Sequence, residues 1–498
     1  MQIDLSKVKN FGAIDADTDP LLDEAFETHE AYLQAKNHEK YVIVGRKGSG
    51  KTAIYRRLTQ DESHDSFSYG HVFSDYPWHH HSKQAQEGVP QEQCFVQSWE
   101  YLINITLAKI LLNKDQSQPW SDGAMKDMAT LEEFVVDTYG SRDPDLSRIF
   151  APTTALKVKG EFAIDWKIFK GKVSGDLVPI EYLPFIVQDV NKNLISTTIR
   201  CANPDNNYYI CFDELDLGFS LGKEEYSNRL IGLLLAARKF NNKAKEKNKK
   251  ISVVIFLRDD IYRIIHFEDK NKLTESAVTV IRWDGDRGSS SLKALMEKRF
   301  HSVLKIPEKG SWNTIFDETE LMTGKQSKYL HIIDRTFLRP RDIIKFCNQV
   351  LLTHNLQSEE SNSSFSNKDI TQARPAYSEY LLNELDDEIK KHYPDYNGYL
   401  EVLKNIGSLQ FTSDDLEKAF TDRKAVLPHD LTSMEMASRL FDYSVIGFYR
   451  PGGGGFGGSD YVWKHKEPRA LFNEKAINYR IHPGFMEVLG LKKFTRSS

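Results

Sequence analysis

The sequence predicts an α/β fold built on a parallel sheet, and three stretches support that prediction. Residues 41–44 form a short apolar run that leads into a glycine-rich turn and then into a helical pattern. Two further apolar runs, 208–212 and 251–257, have the length and content of buried parallel strands. Helical patterns lie between these runs, and strands that alternate with helices are typical of a parallel sheet covered by helices.

The glycine-rich turn at 45–52 matches the phosphate-binding pattern Gly-x-x-x-x-Gly-Lys-Ser/Thr without a gap. Backbone N–H groups in such a turn, at the start of a helix, surround phosphate oxygens. Lys51 is expected to reach the β- and γ-phosphates of ATP, and Thr52 to hold Mg²⁺. A glycine turn without a ligand is the alternative, which the flanking strand and helix disfavour. The residues expected to contact the nucleotide here are Gly45, Arg46, Lys47, Gly48, Ser49, Gly50, Lys51, Thr52 and Ala53.

Two carboxylates, Asp213 and Glu214, follow the apolar run 208–212. At the end of a strand downstream of a phosphate-binding loop, the first carboxylate can bind Mg²⁺ and the second can polarise a water molecule that attacks the γ-phosphate. We therefore assign Thr52 and Asp213 to the metal, and Glu214 and Lys51 to catalysis.

Three arginines are further candidates for contact with the nucleotide. Arg258 follows the run 251–257, and the strand beside the acidic one is expected to end level with the γ-phosphate. Arg258 or Asp259 would then sense that phosphate, with a salt-bridged strand end as the alternative. Arg339 and Arg341 flank Pro340 at the start of a predicted helix. We expect that helix to belong to a lid from which one of the two side chains contacts the nucleotide.

The remainder of the chain predicts additional parts. Alternation from Leu156 to Leu177 predicts a hairpin within an insertion, and residues 281–283 resemble a further short strand. Near the C-terminus, three helical patterns precede a hairpin with a glycine-rich tip, which is the outline of a winged helix. We expect a helical N-terminal segment at 1–40, an ATPase core at 41–334 with an insertion at about 95–200, a helical lid at 335–395 and a winged-helix-like domain at 396–498.

Composition restricts the other classes of function. A net charge of −5 and a pI of about 6.3 give no overall signature of nucleic-acid binding. The chain shows neither a signal peptide nor an apolar stretch of membrane-spanning length, so we expect a cytoplasmic protein without membrane contact.

The four cysteines are scattered and are expected to be reduced and mostly buried. Metal binding by His79–His81 or by Asp15, Asp17 and Asp19 is disfavoured against an interaction loop and helix capping, respectively.

Five motifs occur together in a fixed order, and in this respect the chain resembles a poorly characterised bacterial P-loop ATPase family related to the STAND and AAA-like ATPases. The resemblance implies that residues 45–52 are a Walker A motif and that Asp213 and Glu214 belong to a Walker B motif. It also implies a lid-sensor role for Arg339 or Arg341, and a setting in mobile or antiviral-defence gene neighbourhoods. Arg258 departs from the polar Asn or Thr of many relatives, and no arginine finger is identified. The motifs are Phe11-Gly-Ala-Ile-Asp-Ala, Gly45-Arg-Lys-Gly-Ser-Gly-Lys-Thr-Ala-Ile, Phe212-Asp-Glu-Leu-Asp, Phe256-Leu-Arg-Asp-Asp-Ile and Leu338-Arg-Pro-Arg-Asp-Ile.

The leading hypothesis is an ATPase whose nucleotide state drives a conformational change or assembly, alone or as a homo-oligomer, and is sensed by DNA or a protein partner. One alternative is a signalling or scaffold module that binds ATP without hydrolysing it. Another is a DNA-binding regulator that acts through the C-terminal winged helix. Residues 433–446 carry only Arg439 as a cation, which argues against strong major-groove binding. A weaker, peripheral contact with DNA is still compatible with six other cations: Lys464, Lys466, Arg469, Lys492, Lys493 and Arg496.

Overall fold

The computed structural model describes residues 3–73, 91–150, 156–157, 177–178, 183–216, 224–284, 291–357, 363–390, 392–452 and 459–492. The chain divides into two compact units. Thr28–Ile281 forms the first, called here the sheet unit, and Met1–Glu27 together with Arg282–Ser498 forms the second, called the flanking unit. The four-part division expected from the sequence stays a prediction, and its core boundary at residue 334 lies inside the flanking unit.

The sheet unit contains a five-stranded parallel sheet in the order β2-β5-β6-β1-β7. This arrangement agrees with the predicted α/β fold. A separate antiparallel pair, β3 with β4, coincides with the ends of the predicted hairpin. The strands are β1 (Val42–Gly45), β2 (Ser66–Val72), β3 (Leu156–Lys157), β4 (Leu177–Val178), β5 (Asn207–Asp213), β6 (Lys250–Arg258) and β7 (Val278–Val280).

Helices cover this sheet and contribute much of its core. In β1, β5 and β6 nearly every residue is buried, which is why their sequences read as continuous apolar runs. The helices are α1 (Glu30–Lys36), α2 (Lys51–Gln60), α3 (Gln91–Asn113), α4 (Asp122–Tyr139), α5 (Leu146–Phe150), α6 (Leu183–Cys201), α7 (Glu224–Glu246), α8 (Asp259–Ile264) and α9 (Lys270–Ala277).

The flanking unit combines helices with a four-stranded antiparallel sheet in the order β10-β9-β11-β8. Its strands are β8 (Gln410–Phe411), β9 (Ile446–Arg450), β10 (Asp460–Val462) and β11 (Tyr479–Ile481). Its helices are α10 (Leu292–Leu304), α11 (Ser311–Ile315), α12 (Lys328–Ile333), α13 (Pro340–Gln357), α14 (Asn367–Ile389), α15 (Tyr396–Ile406), α16 (Ser413–Asp422) and α17 (Ser433–Asp442).

The N-terminal segment is less helical than the sequence predicts. Asp15 and Asp19 accept hydrogen bonds from nearby backbone N–H groups, an arrangement that competes with a helix. Asp19 is buried and pairs with Arg299 at 2.6 Å, and Nη1 of Arg299 donates to the Phe11 carbonyl oxygen. Asp19 therefore fastens this segment to α10 by an ion pair.

The structure bears on the predictions about cysteines, membrane contact and metal binding in the described part of the chain. Cys201, Cys211 and Cys347 are buried free thiols, as predicted, whereas the side chain of Cys94 lies outside the described part. Within the described residues, no helix is both long and apolar enough to cross a membrane, and no cluster of three metal-binding side chains occurs. His79–His81, the glycine tract at 453–458, Lys493 and Arg496 lie outside the described residues.

Candidate nucleotide-binding site

The glycine-rich turn joins the end of β1 at Gly45 to the start of α2 at Lys51. Gly48 has φ 76° and Gly50 has φ 101°, both in the left-handed region that glycine adopts without steric penalty. Gly50 is also the N-cap residue of α2. The turn is thus compatible with the phosphate-binding geometry that its sequence pattern predicts.

Lys51 folds back against its own turn. Its Nζ donates to the carbonyl oxygens of Gly45 and Arg46, each at 3.0 Å. Burial lowers the pKa of Lys51, although the negative charges of Asp213 and Asp216 act in the opposite direction. Burial disfavours the charged ammonium, so an anion held in this turn would stabilise the charged form of Lys51.

Asp213 ends β5 and is only 3% exposed. It accepts hydrogen bonds from the backbone N–H of Glu214 and from the hydroxyl of Thr52. Burial raises the pKa of Asp213, and the nearby charge of Lys51 partly offsets that rise. Its Oδ2 is buried and has no hydrogen-bond partner in the described part of the chain.

A buried carboxylate oxygen without a partner is costly, so its retention points to a ligand that satisfies it. Mg²⁺ prefers carboxylate and hydroxyl oxygens and keeps several waters when it binds with nucleotide phosphates. Asp213 and Thr52 lie together and present those two oxygen types. The residues therefore fit a magnesium ion.

Glu214 adopts a strained backbone conformation, with φ 57°. A left-handed conformation costs a non-glycine residue on the order of 1 kcal/mol or more, and such strain concentrates at functional sites. The same conformation turns the Glu214 N–H onto the Asp213 carboxylate. The two carboxylates predicted from the sequence are thus adjacent in the chain but differ in environment, since Asp213 is buried and Glu214 is partly exposed.

Arg258 ends β6, the strand that pairs with both β1 and β5. It lies opposite Gly45 in the β1–β6 register, so the strand beside the acidic one does end level with the glycine-rich turn. Its Nε and Nη2 donate to Asp260 at 3.0 and 2.6 Å, and its Nη1 donates to Asp216 at 3.3 Å. These contacts match the salt-bridged strand end that was the alternative, and phosphate sensing by Arg258 stays a prediction.

Arg339 and Arg341 belong to the flanking unit, where both guanidinium groups bind carboxylates. Arg339 is 1% exposed, donates twice to Asp342 at 2.9 Å and once to Glu388 at 2.9 Å. Arg341 pairs with Glu384 at 3.1 Å and donates to the Ile14 carbonyl oxygen. These contacts account for both side chains within their own unit, and they lend no support to a lid-sensor role, which stays a prediction.

The structure therefore brings five predicted residues to one edge of the parallel sheet: Lys51, Thr52, Asp213, Glu214 and Arg258. Asp260, which holds Arg258 with both carboxylate oxygens, was not among the site residues predicted from the sequence. Its signal in the sequence was its position two residues after that arginine at a strand end, which is too common a spacing to be diagnostic.

Comparisons with known proteins give limited matches. Residues 290–386 match the family model of the FunZ-associated C-terminal helical domain. The putative transposon gamma-delta 80.3 kDa protein of Escherichia coli K12 is 22% identical over 424 residues, which are 80% of this chain and 54% of that protein. The chain thus spans about half the length of this curated relative.

A solved structure, the Aeropyrum pernix ORC1 protein in complex with DNA, aligns over 91% of this chain and 94% of its own. The sequence identity is 12% and the TM-score is 0.36. A TM-score this low carries no argument about fold or function.

Proposed function

We propose that the protein binds ATP with Mg²⁺ and hydrolyses it at the carboxyl edge of the parallel sheet. The observation that carries this proposal is the buried, unpartnered Oδ2 of Asp213 beside Thr52 and the strained Glu214. A glycine turn with only a structural role would need none of these features. Their combination at a single sheet edge is typical of a site for a charged ligand and a metal ion.

In this proposal each residue has a distinct task. The backbone N–H groups of the turn and the ammonium of Lys51 hold the phosphates. Thr52 and Asp213 hold Mg²⁺, which when bound neutralises charge on the β- and γ-phosphate oxygens. Glu214, partly exposed next to the buried Asp213, orients a water molecule in line with the γ-phosphate and accepts its proton. Arg258 fixes the strand end through Asp260 and Asp216.

We further propose that the C-terminal part of the flanking unit is a winged helix. In chain order it contains α15, β8, α16, α17 and then β9, β10 and β11, in which β11 pairs with both β9 and β8. Helices followed by a hairpin on a small antiparallel sheet support that assignment. In α17, Arg439 donates to the Tyr399 hydroxyl at 2.8 Å and lies over the ring of Tyr393, so its guanidinium is already used within the unit.

This occupied arginine favours a protein partner or a peripheral DNA contact over insertion of α17 into the major groove. The name of the Escherichia coli relative refers to a transposon, which supports a setting near mobile DNA. We propose that the ATP state is transmitted to such a partner, with the homo-oligomer as one form of assembly. A role in antiviral defence rests on the family resemblance alone.

The test compares ATP turnover by the wild-type chain and by Glu214→Gln, with and without a DNA duplex. We expect measurable hydrolysis that Glu214→Gln lowers at least about 100-fold, because a glutamine cannot accept the proton. ATP affinity should stay within a few-fold. Glu39→Gln, an exposed glutamate of the same unit, is the matched control and should keep full turnover.

Equal turnover by wild type and Glu214→Gln would remove the catalytic role of Glu214. If ATP binds but no condition gives turnover, the protein is a non-hydrolysing ATP-bound module. Stimulation by DNA that decreases as salt rises would identify a nucleic-acid partner.

A further inference from the structure

The flanking unit contains a polar cavity with a volume of about 210 Å³. It lies between the segment around α12 and the antiparallel sheet, where it meets the ends of β8 and β11. Two arginines, two glutamines, a histidine and an aspartate are among the residues that line it. These residues are Gln326, His331, Asp334, Arg335, Gln410 and Arg480.

Arg335 is the most deeply buried cation of this cavity, with 5% of its surface exposed. Its Nη1 donates to the His331 carbonyl oxygen at 3.0 Å. Its Nε is buried and has no hydrogen-bond partner among the described residues, and the same holds for Nε of Arg480. Two guanidinium N–H groups that are buried without acceptors cost free energy, so they indicate an acceptor that binds from the cavity.

The charges around Arg335 leave an excess of positive charge. Burial, together with the charges of Arg374 and Arg480, lowers the pKa of Arg335 to about 10. Glu487 and Asp334 oppose that effect, but each already has another partner. Glu487 pairs with Arg374 at 2.8 Å, and Asp334 accepts a hydrogen bond from the Gln326 amide.

We propose that this cavity binds an oxyanion of phosphate size. The planar guanidinium group of arginine matches two oxygens of a phosphate group, and a tetrahedral oxyanion can accept from Nε of both Arg335 and Arg480. The amides of Gln326 and Gln410 line the same cavity and add donors. The phosphate group is either free phosphate or part of a nucleic-acid backbone. Bound there, it would tie the α12 segment to β8 and β11.

This site is separate from the glycine-rich turn, so the two can be tested apart. Thermal unfolding is measured in the full chain carrying Lys51→Ala, in inorganic phosphate and in chloride at equal ionic strength. We expect a saturable rise of the Tm in phosphate. Arg480→Gln in the same background should weaken the apparent phosphate affinity at least tenfold. Arg423→Gln, an exposed arginine of the same unit, should leave the affinity unchanged.

A second variant, Arg335→Met, shows whether a lost response to phosphate comes from lost binding or from misfolding. It removes a buried, poorly paired charge, so it should unfold in chloride no earlier than its parent, and should show no phosphate stabilisation. The proposal is overturned if phosphate fails to raise the Tm in the Lys51→Ala background, or if both arginine variants respond as the parent does. Loss of ATP turnover in Lys51→Ala leaves this readout intact, so a failure here is distinguishable from a failure of the proposed ATPase activity.

Binding of a short DNA duplex, followed by fluorescence anisotropy, identifies the source of the phosphate group. If the source is a nucleic-acid backbone, Arg480→Gln should weaken duplex binding. The slope of log affinity against log salt concentration should also fall by about 1, as expected for the loss of one phosphate contact. If the source is free phosphate, Arg480→Gln should weaken the apparent phosphate affinity without changing duplex binding.

Discussion

The two edges of the parallel sheet both carry polar side chains, but the hydrogen bonding of these side chains differs between the edges. At the carboxyl edge, Asp213 has a buried oxygen without a partner among the described residues. At the amino edge, both ring nitrogens of His38 have partners, Ser252 Oγ at 2.7 Å and Asn207 Oδ1 at 3.2 Å. The ring of His38 also stacks on Tyr209 with centroids 4.9 Å apart. The ring of His38 is thus fully hydrogen-bonded at one edge, whereas Asp213 keeps an oxygen available for a ligand at the other.

The same contrast applies to the backbone. His38 and Glu214 have nearly equal φ values, 59° and 57°. His38 follows α1, and its N–H donates to Ala35 while the next N–H donates to Gln34, as at ordinary helix ends. Glu214 follows a strand instead, so its left-handed conformation is not explained by the end of a helix. The nearly equal φ values therefore have a helix end as their cause at His38, and at Glu214 they are consistent with the proposed site.

The largest effect is expected from Lys51→Ala at the carboxyl edge. ATP affinity should fall about 100-fold, since removing one partner of a close charge pair costs about 3 kcal/mol. The nucleotide-free protein should unfold at an unchanged or higher temperature, because burial already disfavours this ammonium. Titration calorimetry and thermal unfolding measure the two. Lys40→Ala is the control in the same unit, and ATP affinity retained by Lys51→Ala would place the nucleotide elsewhere.

At the amino edge the expected effect is on stability. His38→Ala removes two side-chain hydrogen bonds and a stacked ring, so the free energy of unfolding should fall by about 2 kcal/mol. ATP affinity should not change. Denaturant unfolding gives the first quantity, with His266→Ala, an exposed histidine of the same unit, as the control. A weakened ATP affinity with unchanged stability would reverse the assignment of the two edges.

Asp213→Asn should separate stability from binding at a single position. The neutral amide avoids the burial of a carboxylate, so the nucleotide-free protein should gain about 1 kcal/mol. The dependence of ATP affinity on Mg²⁺ should disappear, because the amide no longer offers a charged oxygen. Unfolding curves and ATP titrations with and without Mg²⁺ test this. A loss of stability would show that the charge of Asp213 supports the fold instead.

The smallest expected effect is a pair of opposite pH dependences. Burial lowers the pKa of His38 below 6.5, so the folded protein keeps it neutral while the unfolded chain is protonated. Wild type should therefore lose stability relative to His38→Ala as the pH falls below 6.5. Burial raises the pKa of Asp213 above 3.8, so the cost of its charge is present above the raised pKa and disappears as the pH falls through it.

Wild type should accordingly gain stability relative to Asp213→Asn on acidification, while it loses stability relative to His38→Ala. Urea unfolding of the three proteins from neutral pH downward measures both differences. Parallel curves for wild type and either variant would show that the side chain in question does not titrate differently in the folded state.

The sequence predicted the parts of the fold that depend on local pattern. β1, β5 and β6 were predictable because a strand buried on both faces reads as one apolar run. β7 was placed at 281–283 but occupies Val278–Val280, since a three-residue strand that is not fully buried has little pattern to detect. The predicted site residues at the sheet edge likewise come from contiguous motifs, and their roles stay predictions.

What the sequence could not predict depends on contacts between distant residues. Glu388, the partner of Arg339, lies 49 positions away, and Asp216 lies 42 positions before Arg258. Charge patterns along a chain do not specify such pairs. The backbone strain at Glu214 was equally unpredictable, because ordinary sequence patterns give no left-handed preference to glutamate.

The ion pair between Asp19 and Arg299 has a consequence for the order of events during synthesis. The two residues are 280 positions apart, and the whole sheet unit is made between them. The segment that carries Asp19 is made before the sheet unit, so it cannot form this ion pair until α10 has been made. Closing so long a loop costs entropy that grows with its length. The backbone N–H of Tyr41 donates to the carbonyl oxygen of Ala277 near the two ends of the sheet unit. Prior folding of that unit would thus shorten the effective loop, and we expect the flanking unit to be completed last.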